Sequence, residues 1–154
     1  MNRIYKNPVV WLVGAAVIAA GGGLFALSAL NRINIAETSP DQKDENLRTR
    51  RYALKVDLQQ MRQTVEQIVP TLRTWGNNWK LAEKQAGDSF ENKETIRAYV
   101  PVVVFIDDLK IEMKQEGGEA VVNVRSNSRV GKSDLGENRR HLLQILQALD
   151  EKFK

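Results

Sequence analysis

The chain has 154 residues, a formal charge of +4 and a pI near 9.4, which leaves room for one modest domain and an appendage. It contains no cysteine, which excludes disulfides, thiolate nucleophiles and cysteine-based metal sites, and its one histidine, His141, has no second imidazole with which to share a metal, so no cofactor or metal is expected. The charge is local: residues 1–51 carry seven Lys or Arg against four Asp or Glu, residues 125–140 carry five against two, and no broad basic face remains for the many phosphates of a nucleic acid.

Residues 8–30, PVVWLVGAAVIAAGGGLFALSAL, hold no charge across 23 positions. As a helix rising about 1.5 Å per residue they would reach roughly 35 Å, enough for a hydrocarbon core of about 30 Å, and they predict a transmembrane helix after a short flank, 1–7. Tyr5 and Trp11 fall where amphipathic rings favour the membrane interface, and Arg3, Lys6 and Arg32 bracket the run. Ala26-Leu27-Ser28 resembles a signal-peptidase site, but the run is longer than the apolar part of a secretory signal, which favours an uncleaved anchor. The triple glycine Gly21–Gly23 suits close helix packing in a bilayer, or is simply a small-residue stretch. Arg3 and Lys6 ahead of the run, against Arg32 and Lys43 after it, place the domain on the periplasmic or lumenal side by a slight bias.

Residues 31–51 are mostly polar and contain Pro40, which reads as a linker, with the folded domain at 52–154. Tyr52–Asp57 suits a short strand. Leu58, Met61, Val65, Ile68, Val69 and Leu72 then recur on one helical face, and the helix is expected to end between Pro70 and Trp75. Gly76-Asn77-Asn78 is a turn between Trp75 and Trp79, two rings expected to cap a core, and Trp79–Gln85 reads as a weak strand. Thr95–Ile106 is rich in β-branched and aromatic residues and predicts a strand in which Pro101 marks an edge or a bulge. Leu109, Ile111 and Met113 alternate with Lys110, Glu112 and Lys114, and Gly117-Gly118 makes a hairpin turn. That turn sets Met113 opposite Val122, Ile111 opposite Val124, and Lys110 opposite Arg125, a like-charge pair that calls for a nearby carboxylate or anion. Asp107 and Asp108, adjacent on a strand, point to opposite faces, which argues against paired-carboxylate acid/base chemistry.

The last helix is expected to start near Asp134, with Asp134 and Glu137 spaced as a capping box and Leu135, Leu142, Leu146, Leu149 and Phe153 forming its apolar stripe. His141, among charged neighbours, reads as a surface residue. The elements together predict an α+β fold: a mainly antiparallel sheet, two packed helices and one N-terminal transmembrane helix.

Between strand and helix lies RSNSRVGKSDLGENRR, residues 125–140. Gly131-Lys132-Ser133 matches the end of a phosphate loop, but Ser126 stands where its first glycine belongs, and the flanking strands are antiparallel, so the segment is not that of an NTPase. Two readings remain. Arg125, Ser126, Ser128, Arg129, Gly131, Lys132 and Ser133 form a candidate anion site at a helix start. Alternatively, Asp107, Asp108, Arg125, Arg129, Asp134 and Asn138 form a structural polar network. No base neighbours Ser126, Ser128 or Ser133 in sequence, so no serine nucleophile is visible.

The block Arg-Ser-x-Ser-Arg-Val-Gly-x-Ser-Asp-Leu-Gly-x-Asn, on Arg125, Ser126, Ser128 to Gly131, Ser133 to Gly136 and Asn138, with VFIDDLKIEM upstream, resembles the domain-of-unknown-function family numbered 1499. The resemblance covers about Tyr52 to the C-terminus. It implies a domain found in bacteria, cyanobacteria among them, and in photosynthetic eukaryotes, with no established activity. Many members begin with a Cys- and Pro-containing segment, and this chain has no cysteine. The expectation is a membrane-anchored, non-enzymatic accessory or assembly subunit of a membrane protein complex, with membrane and protein partners and no nucleic acid. The alternative is a binding module for an anionic small molecule or lipid headgroup, and a hydrolase built on the serines and the aspartate pair comes last.

Overall fold

Strict alternation of apolar and polar side chains dictates the central strands. In the computed structural model, which describes residues 34–55, 57–130 and 135–154, β7 (Lys93–Val102), β8 (Phe105–Glu116) and β9 (Glu119–Ser128) form an antiparallel meander. Leu109, Ile111 and Met113 point to one face, with Ile96, Ala98 and Val100 beside them on β7 and Ala120, Val122 and Val124 on β9, all buried. The expected register holds, with Met113 opposite Val122 and Ile111 opposite Val124. A slip of one residue would turn this whole set outward.

Two helices cover the buried face. Helix α1 (Leu58–Ile68) starts on Asp57, whose carboxylate accepts from the Gln60 amide, and turns into a 3-10 segment, Val69–Thr71, at Pro70. Its buried face is Leu58, Met61, Arg62 and Val65, set against β7 and β8. Helix α2 (Glu137–Phe153) buries Leu142, Ile145, Leu146 and Leu149 against β9 and its neighbours. The fold is α+β, with both helices on one side of the sheet.

Several expectations are corrected. Residues 31–51 are not simply a linker: β1 (Ile35–Glu37) pairs with Arg125–Asn127, and β2 (Arg50–Ala53) pairs with Glu119–Val122. Between them the Thr38 hydroxyl accepts from the Val124 amide, so a side chain continues the ladder where strand geometry lapses. Arg50 and the Tyr52 hydroxyl both reach Asp150 of α2, and Arg139 reaches Asp44. Such polar stretches fold when their backbone and charges find partners, which composition alone does not reveal. The run Thr95–Ile106 is not one strand, since β7 turns at Val103-Val104 into β8, with Pro101 opposite Ile106 near the turn. The weak strand after Trp79 shrinks to β5 (Lys80–Leu81), which pairs with β7. A hairpin of β3 (Arg73–Thr74) and β4 (Asn77–Asn78) brings Trp79 into the core, but leaves Trp75 exposed at its turn. A short β6 (Ser89–Phe90) also lies along β7. Helix α2 begins three residues later than expected, with Gly136 at its N-cap and Leu135 exposed outside the stripe; Asp134 lies outside the described residues. So does the apolar run 8–30; among the described residues no helix is long and apolar enough to cross a membrane.

One buried charge is tied to much of the sheet's β7 side. The guanidinium of Arg62 donates to Glu94 and to the Thr95 carbonyl, each at 2.8 Å, and to Glu66 at 2.8 Å. Glu94 also accepts from Ser89 at 2.6 Å. Nearby, Asp88 is bound by Arg97 and by the Gln85 amide; burial alone would raise its pKa, but these partners outweigh burial and hold it below the ordinary carboxylate range.

Removing one member of a buried pair strands the other, so Arg62→Ala is expected to cost about 3–5 kcal/mol, measured by denaturant unfolding. Asp150 is also held low: burial opposes ionisation, but Lys154, Tyr52 and Arg50 outweigh it. A carboxylate with a lowered folded pKa stabilises above its unfolded value of about 4 and loses that contribution as pH falls through the folded value. Asp150→Asn is therefore expected to be less stable than the parent at pH 7, with the gap, measured by denaturant unfolding at each pH, closing as pH falls below the ordinary carboxylate range.

Candidate functional site

The strand-to-helix corner gathers residues from the start of β1, the start of β8, the end of β9 and the first turns of α2. Ser126 continues the inward face of β9 after Val122 and Val124 and is fully buried, at 0% exposure. Asn138 and His141 lie one turn apart on the inward face of α2, and His141 is 1% exposed, its ring edge-on to Trp79 at 5.8 Å. The surface assignment of His141 is thus overturned, because its helical position shares the stripe of Leu142 and Ile145.

Hydrogen-bond direction follows from one fixed point. The Asn34 carbonyl can only accept, and Asn138 Nδ2 donates to it at 2.9 Å and to Ser128 Oγ at 3.0 Å. That turns Asn138 Oδ1 toward Ser126, whose hydroxyl donates to it at 2.6 Å. With its proton so placed, Ser126 Oγ accepts from His141 Nδ1, 3.3 Å away. Asp107, on the inward face of β8, approaches the same nitrogen at 3.7 Å, while Nε2 faces Glu137 at 3.8 Å.

Serine, imidazole and carboxylate are therefore together, which the spacing of the sequence did not suggest, yet they are not wired for nucleophilic catalysis. A general-base histidine takes the hydroxyl proton on one nitrogen and is steadied by a carboxylate on the other. Here a carboxylate faces each ring nitrogen, Asp107 at Nδ1 and Glu137 at Nε2, but the hydroxyl proton points to Asn138 and not to the ring. Substrate would also have to reach a group that is sealed from solvent. The arrangement can fix the corner, joining four elements through one amide and one ring.

The exposed cations go elsewhere. Arg129 forks onto Asp108, with Nε at 2.9 Å from one oxygen and Nη2 at 2.6 Å from the other, and its guanidinium lies 4.9 Å over the Tyr99 ring. The Asp108 hydrogen bond raises the Arg129 pKa further. Arg125 stands opposite Lys110 as expected, and each has its carboxylate: Glu37 lies 3.6 Å from Arg125, and Glu112 lies 3.2 Å from Lys110 and 2.7 Å from Lys93. These contacts, with Lys93 foremost, hold Glu112 below the usual carboxylate range. The expected network is thus split in two: Asp107 and Asn138 belong to the buried corner, Asp108 and Arg129 to the surface, and Arg125 to neither. Gly131, Lys132, Ser133 and Asp134 lie outside the described residues. Among the described residues no group of three or more His, Cys, Asp or Glu could hold a metal ion.

The fold and this corner define a two-layer α+β domain in which Ser126, Asn138 and His141 are tied into the interior. A family model described as protein of unknown function (DUF1499) matches residues 26–149, and the chain belongs to that family. The match begins well upstream of Tyr52, in keeping with the place of β1 and β2 in the sheet. No curated protein and no solved structure matches the chain.

If the corner is structural, Ser126→Ala removes a buried hydrogen bond and is expected to cost about 1–3 kcal/mol. Arg129→Ala, which breaks an exposed pair, is expected to cost about 1 kcal/mol or less. Thermal unfolding of the two variants measures the contrast.

Proposed function

We propose that the protein is a membrane-anchored, non-enzymatic accessory or assembly subunit of a membrane protein complex. In this reading residues 8–30 form the anchor, and the domain stands on the periplasmic or lumenal side. The observation that carries it is the use of Ser126, His141, Asp107 and Asn138: groups with chemical potential are buried against one another, at a corner that joins β1, β8, β9 and α2. A rigid domain with its reactive groups committed to its own structure offers partners a surface rather than a reaction.

A second reading, a module for an anionic ligand or lipid headgroup, is favoured by the groove of about 350 Å³ in which Lys110 and Arg125 stand side by side. Glu37 and Glu112 line the same groove and already sit against those cations, which sets this reading second.

Extraction from the native membrane in a mild detergent, followed by native mass measurement, is expected to yield a particle containing this 17.4 kDa chain and at least one other kind of chain. Recovery of the chain alone under gentle conditions would overturn the proposal.

A further inference from the structure

The two long hairpins of the sheet end in opposite ways. The β8–β9 turn is Gly117-Gly118 between Glu116 and Glu119, with both glycines at positive φ, a solvated turn of ordinary composition. The β7–β8 turn, at the other end, is Val103-Val104 between Val102 and Phe105. Val103 is 67% and Val104 79% exposed, and Phe105 and Ile106 stand largely in the open beside them. Val103 also holds φ at 49°, a region that a β-branched residue adopts only under strain and that Gly or Asn would occupy freely. Water gives no reason for four consecutive apolar residues there.

The same end of the sheet carries more of this character. Asp107 lies opposite both Val100 and Ser128, and Ser128 bonds to the Asn34 carbonyl, so these four residues form one row across the strands. The hairpin tip projects two to four residues beyond that row, roughly 7–13 Å. Val130 and Leu135, exposed where the chain passes from β9 to α2, lie toward this end as well. Set back from the tip are Tyr99 and the Arg129 above its ring, an amphipathic ring and a cation of the kind that favours the headgroup layer. The acidic pair offers little repulsion, since Asp107 is buried and Asp108 is held by Arg129.

Strand β1 runs away from this end, so the preceding chain arrives at it. The apolar run of the sequence closes at Leu30, and the four residues to Asn34 span at most about 14 Å. A membrane crossed by that run lies against the end of the sheet from which the apolar tip projects.

We propose that the β7–β8 tip, Val102–Ile106, is a bilayer-contacting surface that seats the domain on the membrane beside its anchor. The proposal rests on the reading of residues 8–30 as that anchor, and the occupant it commits to is the lipid surface. Val103, Val104 and Phe105 enter the acyl boundary, Tyr99 and Arg129 sit at the headgroups, and the long axis of the sheet stands away from the membrane.

The chain has no cysteine, so single substitutions give unique labels. The full chain carrying Val104→Cys, or Lys114→Cys roughly 30 Å further along β8, is labelled with an environment-sensitive fluorophore and reconstituted into mixed phosphatidylcholine and phosphatidylglycerol vesicles. Both positions are exposed, and each labelled variant is required to unfold at the same temperature as the parent. The label at 104 is expected to shift to the blue and to lose intensity when the lipids carry nitroxide quenchers, while the label at 114 does neither. If the chain resists alkaline carbonate extraction but both labels report water, this proposal is overturned and the anchor stands. A blue-shifted label that lipid-borne quenchers do not reach would place the tip against protein, which also overturns it. Release of the chain by carbonate would remove the anchor reading and this proposal with it.

Discussion

The amide of Asn138 is the constraint on which the corner depends. It has one acceptor and one donor end, and the Asn34 carbonyl decides which end faces which way. Two things follow from that choice: the Ser126 proton points to Asn138, and the His141 nitrogen facing Ser126 is left to donate. Replacing this set with apolar groups would be simpler to pack, but it would not specify how the first strand, the last strand and the last helix meet. A polar group buried among several elements tolerates few alternative arrangements, because each misplacement leaves a donor or an acceptor unsatisfied.

The outer face of the sheet solves a different problem with weaker means. Among the described residues no helix covers it, and it carries the charges of Lys93, Lys110, Glu112, Lys114 and Arg125. Lys110 opposite Arg125 would be unfavourable in isolation. Glu112 from the same strand and Glu37 from β1 make it tolerable, so the residues before Tyr52 contribute charge balance as well as backbone pairing. These pairs are solvent-exposed and each is worth little; their effect is to keep the face wet and evenly charged.

The parts of this fold that were legible in the sequence are those with a clean period. Alternation along 109–113 and the glycine pair at 117–118 fixed the β8–β9 register, and the helical stripe from Leu58 to Val69 fixed α1. The site was legible only in part. Ser126 inherits its inward direction from Val122 and Val124, so the register already placed it in the core. His141 shares a face with Ile145 but is surrounded in sequence by Arg139 and Arg140, whose charges masked the stripe. Asn34, Thr38 and Glu37 gave no local signal at all, because their roles depend on residues about 85 to 105 positions away. The break at Val103-Val104 was hidden for another reason: the turn is built from strand-forming residues where turn-forming residues are the rule.

Both margins of the sheet are stitched by short pieces of chain. Along β9 these are β1, β2 and the Thr38 side chain; along β7 they are β5, β6, and the single bonds from Ala82 to Arg97 and from Thr95 to Asp88. Pieces of two to four residues add little core, yet they occupy the backbone donors and acceptors that an extended peptide would need in order to join as another strand. Recognition by strand addition is thereby closed along most of both edges. The same stitching disfavours edge-to-edge pairing between two copies of the domain.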